Sequence, residues 1–291
     1  MTLIIAGFTD SRRLFFASDS TISDGNRTLL NGFQKVYEVP VIVHEPYFIV
    51  NHFQRYLPSR KHTHCAIAFA GSTLTAQHVL NSITSELGSL FFGQDAVGKY
   101  GILRRDEYNE LIKQSRVQLW AEDMFLPEDM TGLLTGKVIA DAVAHAVQKA
   151  VESARRYAID EQGFKKLENQ YAVGTYSPDS DEVSLYEIDV VRSVSEDGML
   201  VPLVKIKEVC QSEISVLGLR ERFKTEAETA LHQAHQQAET SASALFRFLN
   251  SAIERIWTEG SRVIDRPAYL YEFSATGLTE QEVSGPGCGA A

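Results

Sequence analysis

The chain opens on two short runs that are apolar almost throughout, Leu3-Ile4-Ile5-Ala6-Gly7-Phe8 and Leu14-Phe15-Phe16-Ala17. A strand with one wet face alternates apolar and polar residues, whereas an unbroken apolar run of this length reads as a strand covered on both faces. Residues 2–8 and 13–19 are therefore predicted as two strands. Thr9-Asp10-Ser11-Arg12 joins them, and Asp and Ser suit a tight turn. The stretch from Ser20 to Gly32 is polar, with Asp24-Gly25-Asn26 as a turn signal. Strands resume at 35–39, 41–43 and 65–70. Between them, residues 46–64 carry Tyr47, Phe48, Phe53 and Tyr56 and read as an inserted hairpin or loop.

The period then changes. Leu74, Val79, Leu80, Ile83 and Leu87 recur near the helical spacing and predict a helix over 73–87. Ile139, Val143, Val147, Ala150 and Ala154 form one stripe of an amphipathic helix over 137–157. The intervening 88–136, with Phe91, Phe92, Tyr100, Trp120 and Phe125, reads as a partly helical insertion. Strands follow at 171–176, 183–189, 201–206 and 214–217, then helices at 221–240 and 242–258 and a strand at 268–273. Residues 276–291 end in the glycine-rich Gly285-Pro286-Gly287-Cys288-Gly289 and are expected to form a disordered tail. Strands and helices that come in blocks favour layered α+β packing over βαβ units. With no internal repeat and no linker, residues 1–275 read as a single domain with insertions at about 46–64 and 88–136.

Composition narrows the classes of function. The 291 residues are 44% hydrophobic and 23% charged, with a formal net charge of −10. An acidic chain whose basic residues come as isolated pairs, Arg12-Arg13 and Lys165-Lys166, is not expected to bind nucleic acid through phosphates. The longest apolar runs fall far below the ~20 residues of a membrane helix, so no membrane partner is expected. No secretory signal is recognisable at the start. Cys65, Cys210 and Cys288 are widely spaced and make no disulfide framework. These features lead us to expect a cytoplasmic protein.

Candidate chemistry begins at Thr2. Removal of Met1 leaves a hydroxyl and a free α-amine on one residue. An α-amine titrates near pH ~7.7–8 and can serve as the base that activates its own hydroxyl. Asp19 ends the second apolar run in Ala17-Ser18-Asp19-Ser20, Lys35 lies in Gly32-Phe33-Gln34-Lys35-Val36, and Gly71 follows Ala66-Ile67-Ala68-Phe69-Ala70. In this order and spacing the chain resembles the proteasome β-subunit family, and most of all its bacterial branch with HslV and the Anbu peptidases. The likeness covers the first 80 or so residues and returns at Tyr171-Ala172-Val173-Gly174-Thr175-Tyr176 and Val183-Ser184-Leu185-Tyr186-Glu187-Ile188-Asp189.

The resemblance implies an Ntn-hydrolase fold, a four-layer αββα sandwich of two antiparallel sheets flanked by helices. It implies a threonine peptidase in which Thr2 is the nucleophile, Lys35 its electrostatic partner, Asp19 the counter-ion of Lys35 and Gly71 the oxyanion donor. It further implies a homo-oligomer that encloses the site, a peptide or unfolded protein as substrate, and a separate ATP-dependent unfoldase as partner. The helices at 73–87 and 137–157 and the aromatic residues of the two insertions are expected at subunit contacts. The chain departs from the family at Leu217-Gly218-Leu219-Arg220, where a G-S-G serine is expected. Glu259, Ser261 and Asp265 stand near the place of the remaining polar residues without matching them. Two further readings therefore stay open: a catalytically silent assembly subunit, and an amidase or transpeptidase of the same fold.

No cofactor or metal is expected. His62, His64 and Cys65 precede a strand whose alternation splits their faces. His232 and His235 share a helix face among polar residues, which fits a solvated surface. A phosphate-binding G-x-x-x-x-G-K-[ST] loop is missing from the sequence, so the chain carries no ATPase of its own.

Overall fold

The computed structural model describes residues 1–9, 13–24, 27–95, 97–152, 160–196 and 198–285. The two opening runs are strands, β1 (Leu3–Phe8) and β2 (Leu14–Asp19), almost completely buried. Side chains of a strand point alternately to its two faces. Leu3, Ile5, Phe15 and Ala17 accordingly pack against helices, while Ile4, Ala6, Leu14 and Phe16 pack the other way, against a second sheet. Both faces are dry, which is why both runs lack polar positions.

A small hairpin follows, β3 (Ile22–Asp24) and β4 (Arg27–Leu30), then the long pair β5 (Val36–Ile49) and β6 (His52–Ala70). Helix α1 spans Thr73–Leu87, and its first turn is capped by Ser72, whose side chain accepts from Thr75 N. Next come β7 (Leu90–Gln94), β8 (Tyr100–Leu103), α2 (Arg105–Lys113), α3 (Gly136–Glu152) and α4 (Glu161–Lys165). The chain continues through β9 (Gln170–Ser177), β10 (Glu182–Val194), β11 (Leu200–Val209) and β12 (Ile214–Gly218). Helices α5 (Arg220–Gln236) and α6 (Ser241–Thr258) and strands β13 (Ala268–Ser274) and β14 (Gly277–Ser284) complete it.

One sheet has five strands in the order β12-β1-β2-β13-β14, and the other has seven in the order β11-β10-β9-β6-β5-β7-β8. Pairing is antiparallel except for a short parallel contact of β5 with β7, Val43↔Leu90 and His44↔Phe91. Three apolar layers hold these elements. Val79, Ile83, Ile139, Val143 and Val147 of α1 and α3 pack on Val41, Ile67 and Val173 of the seven-stranded sheet. Phe223, Leu245, Leu249 and Ile253 of α5 and α6 pack on the five-stranded sheet. Between the sheets lie Ile4, Phe16, Val36, Ala66, Ala68, Ala172, Leu217 and Phe273. The fold is the four-layer αββα sandwich, of the α+β class.

The structure corrects several expectations. Residues 277–284 are not disordered: β14 pairs with β13 from Ser274↔Gly277 to Ala268↔Ser284. Most of its side chains face solvent, and main-chain hydrogen bonds rather than side-chain burial hold this edge strand, so its composition gave no signal. Residues 46–64 do form a hairpin, but as the outer half of β5 and β6 rather than a separate element. The 88–136 insertion is partly helical and also supplies two strands, β7 and β8, to the sheet. Its aromatic residues do not form an open contact surface. Trp120 and Phe125 are buried, and Phe48, Phe53, Tyr56, Phe91 and Tyr108 pack half-buried against them, in a small core between the insertion and the hairpin, joined by edge-to-face contacts such as Phe53–Trp120 at 5.9 Å. Phe92 lies in the core under α1 and α3. The predicted turns at 10–12 and 25–26, the end of the 137–157 helix beyond Glu152, and residues 286–291 lie outside the described residues.

Candidate active site

Thr2 stands immediately before β1, and Asp19 ends the neighbouring β2. The antiparallel register, Ile4↔Ser18, brings the two together at one end of the five-stranded sheet. Leu3 N donates to Asp19 Oδ1 at 2.9 Å and Thr21 N donates to Asp19 Oδ2 at 3.1 Å, so the backbone fixes the carboxylate. Lys35 comes from the other sheet, one residue before β5. Its Nζ donates to Asp19 Oδ2 at 2.8 Å and to Thr2 Oγ1 at 3.0 Å. Asp19 is 0% exposed, Lys35 3% and Thr2 7%. An ion pair this deep is maintained only with good geometry and further hydrogen bonds, which Asp19 has from two backbone amides.

Burial pulls the Lys35 ammonium below its ordinary 10.5, against the opposing charge and hydrogen bond of Asp19. The α-amine of Met1, which donates to Ser23 Oγ, is likewise lowered from 8.0. Burial is the larger cause, Lys35 adds to it, and Asp19 opposes it. The Met1 amine is thus biased to the neutral form.

Gly71 sits between the end of β6 and the cap of α1, at φ 130°, a conformation that favours glycine. An added Cβ would lie 2.0 Å from Asn169 Oδ1 and 2.9 Å from Glu168 O, so no larger residue fits. Gly71 and Thr2 line the same cavity of about 560 Å³, together with Gln170, Asp189, Arg192, Gly218 and Arg220. All four residues singled out in the sequence, Thr2, Asp19, Lys35 and Gly71, therefore meet at one site.

The Gly218-Leu219-Arg220 turn, read in the sequence as lacking its serine, also belongs to the site, and so does Gln170, which carried no sequence signal. Leu219 N donates to Thr2 O at 2.9 Å. Gly218, at φ 80°, packs so closely that a Cβ would fall 1.9 Å from Thr2 O. Gly218 N donates to Gln170 Oε1 at 2.8 Å. Arg220 pairs with Asp189 at 3.1 Å and Glu187 at 3.4 Å on the cavity wall. Each contact joins residues from different strands or sheets, which no local pattern reveals. Glu259, Ser261 and Asp265 do not reach the site. Glu259 pairs with Arg222, Asp265 with Arg262 at 3.7 Å, and Ser261 N closes the end of α6 on Ile256 O. His64 pairs with Glu38 at 3.3 Å. Among the described residues no group of three His, Cys, Asp or Glu is placed to hold a metal ion, and no helix is long and apolar enough to cross a membrane.

A scan against protein-family models gives no match, and neither does a search of curated proteins. Among solved structures the chain is similar to an Anbu mutant from Hyphomicrobium sp. strain MC1, at 12% identity and a TM-score of 0.43, over 98% of this chain and 86% of that one. It is also similar to Anbu, an ancestral beta-subunit, from Yersinia bercovieri, at 12% identity and a TM-score of 0.44, over 96% and 87%.

Proposed function

We propose that the chain is a threonine-type N-terminal-nucleophile peptidase that acts through Thr2 once Met1 is removed. The observation that carries the reading is the buried Lys35 ammonium bridging Thr2 Oγ1 at 3.0 Å and Asp19 Oδ2 at 2.8 Å. In this reading the freed α-amine of Thr2, directly or through a water, takes the Oγ proton as Oγ attacks the scissile carbonyl. Lys35 stabilises the charge that develops on Oγ, and Asp19 keeps Lys35 charged in a dry setting. Gly71 N–H receives the oxyanion, a donor whose loss typically costs ~3–4 kcal/mol in the transition state. The protonated amine then gives its proton to the leaving amine. Water attacks the Thr2 ester, releases the acid and restores the hydroxyl.

The substrate class is a peptide or unfolded protein, and the setting is the cytoplasm. A threonine peptidase there needs enclosure, so the reading includes a homo-oligomer of at least six subunits, with a separate ATP-dependent unfoldase as feeder. Intact mass before and after treatment with a β-lactone or epoxyketone tests the chemistry. We expect a chain lacking Met1, one adduct on Thr2, and neither adduct nor peptide hydrolysis in Thr2→Ala. Peptide hydrolysis by a chain that retains Met1 overturns the mechanism, and a folded, processed chain without adduct or hydrolysis supports the silent-subunit reading. Light scattering at micromolar concentration tests assembly. A stable monomer counts against enclosed proteolysis and favours an amidase or transpeptidase.

A further inference from the structure

The hydroxyl of Thr2 can meet a substrate carbonyl productively only if its backbone is fixed, because small displacements of reacting atoms cost large factors in rate. The sheet ladder secures β1 from Leu3 onward. At Thr2 itself, the carbonyl is held by Leu219 N at 2.9 Å. That amide belongs to the turn in which β12 ends, and Gly218, the last residue of β12 and the start of that turn, is wedged against Thr2 O with no space for a Cβ. Where this turn sits therefore decides where the nucleophile sits.

The turn is tied down from the opposite sheet. Gln170, the first residue of β9, reaches across and accepts from Gly218 N through Oε1 at 2.8 Å. Gly218 N is a donor, so the amide oxygen must be the end that faces it. The other end, Nε2, has no hydrogen bond among the described residues. On its own strand Gln170 stands opposite Ala70, the residue before Gly71. One half-buried side chain thus connects the turn that holds Thr2 to the ladder that carries the oxyanion glycine, at the point where the two sheets must keep register.

We propose that Gln170 is a positioning residue: by accepting from Gly218 N across the two sheets it sets the Gly218-Leu219 turn, and through it Thr2, relative to Gly71. The role rests on the reading of Thr2 as the nucleophile. It requires an acceptor at Gly218 N, and neither the bulk of the side chain nor Nε2 substitutes for that acceptor.

The test measures inactivation by a β-lactone across pH, following the Thr2 adduct by intact mass, in wild type, Gln170→Leu and Gln170→Glu. Gln170→Leu keeps the bulk and loses the acceptor. Its limiting inactivation rate should fall about tenfold, the worth of one hydrogen bond of ~1.4 kcal/mol, with the concentration for half-maximal rate within about twofold. Gln170→Glu keeps the acceptor and adds a charge. Its limiting rate at high pH should stay within about threefold of wild type. Its acid limb should move up by about half a pH unit or more, because a carboxylate near the amine favours the protonated form. Lys35 and Asp19 act on the Met1 amine at this end of the chain, and Glu168, Asp189, Arg192 and Arg220 stand on the same cavity wall; they are unchanged in both variants.

A wild-type rate in Gln170→Leu overturns the assignment, as does a Gln170→Glu plateau as low as that of Gln170→Leu. In both cases wild-type labelling leaves the threonine mechanism standing. A wild type that forms no adduct overturns the nucleophile reading and this inference with it. If Gln170→Leu does not fold, the plateau and acid limb of Gln170→Glu decide alone.

Discussion

Replacing Lys35 by Met keeps the length of the side chain and removes its charge. The ammonium lies 2.8 Å from Asp19 Oδ2, with Lys35 3% and Asp19 0% exposed. At that distance the gross attraction is about 6 kcal/mol for an effective dielectric near 20, offset by the desolvation of both ions. Removing one partner leaves Asp19 buried with only its two backbone donors, Leu3 N and Thr21 N. Such a break costs about 3–5 kcal/mol of folding stability, and the two donors place the expected loss near the lower end. A native domain holds about 5–15 kcal/mol, so Lys35→Met should remain folded in water and unfold at lower denaturant. The same change removes the donor to Thr2 Oγ1, and labelling of Thr2 by a β-lactone should fall about 10²–10³-fold. Asp19→Asn should act in the same direction. The double variant should lose less stability than the sum of the two, since neither charge is then left alone. Denaturant unfolding and the labelling rate are the two measurements. Wild-type labelling in Lys35→Met, or a stability loss under about 1 kcal/mol, would refute the role given to the pair.

The remaining predictions concern pH, Gly71 and the aromatic insertion. Lys35 has a folded value below 10.5, so its contribution to stability is complete above 10.5 and declines as pH falls through the folded value; Lys35→Met should flatten that alkaline slope in unfolding measured against pH. In the proposed mechanism the freed Thr2 amine shares the burial and the Lys35 charge that lower the Met1 amine, so labelling of Thr2 should show an acid limb below pH 8.0, and loss of the Lys35 proton should end labelling below pH 10.5. Gly71→Ala places a Cβ 2.0 Å from Asn169 Oδ1 at a φ that side chains avoid; inactivation kinetics should show at least a ~100-fold loss, and unfolding a cost of about 1–3 kcal/mol. Trp120→Ala should cost about 3–5 kcal/mol in the insertion, read by hydrogen exchange, and leave labelling of Thr2 within about twofold, because this small core does not line the cavity.

Much of this protein is legible along the chain. The dry runs of β1 and β2 lack polar residues because both of their faces are covered, and α1 and α3 declare themselves by stripes that bury against one sheet. Thr2, Asp19, Lys35 and Gly71 could be singled out because each stands at the end of a predicted strand, in a spacing that resembles a known family. Edge strand β14 was not legible, since hydrogen bonds to β13 fix it rather than buried side chains. Nor was the fate of the insertion's aromatic residues, which pack on one another in a small core of their own. The distances within the site belong to tertiary structure alone. Lys35 reaches Asp19 and Thr2, and Gln170 reaches Gly218, only because two sheets stack in one register. Local sequence sets which face of a strand is apolar, but which strands meet across the stack is a property of the whole packed chain.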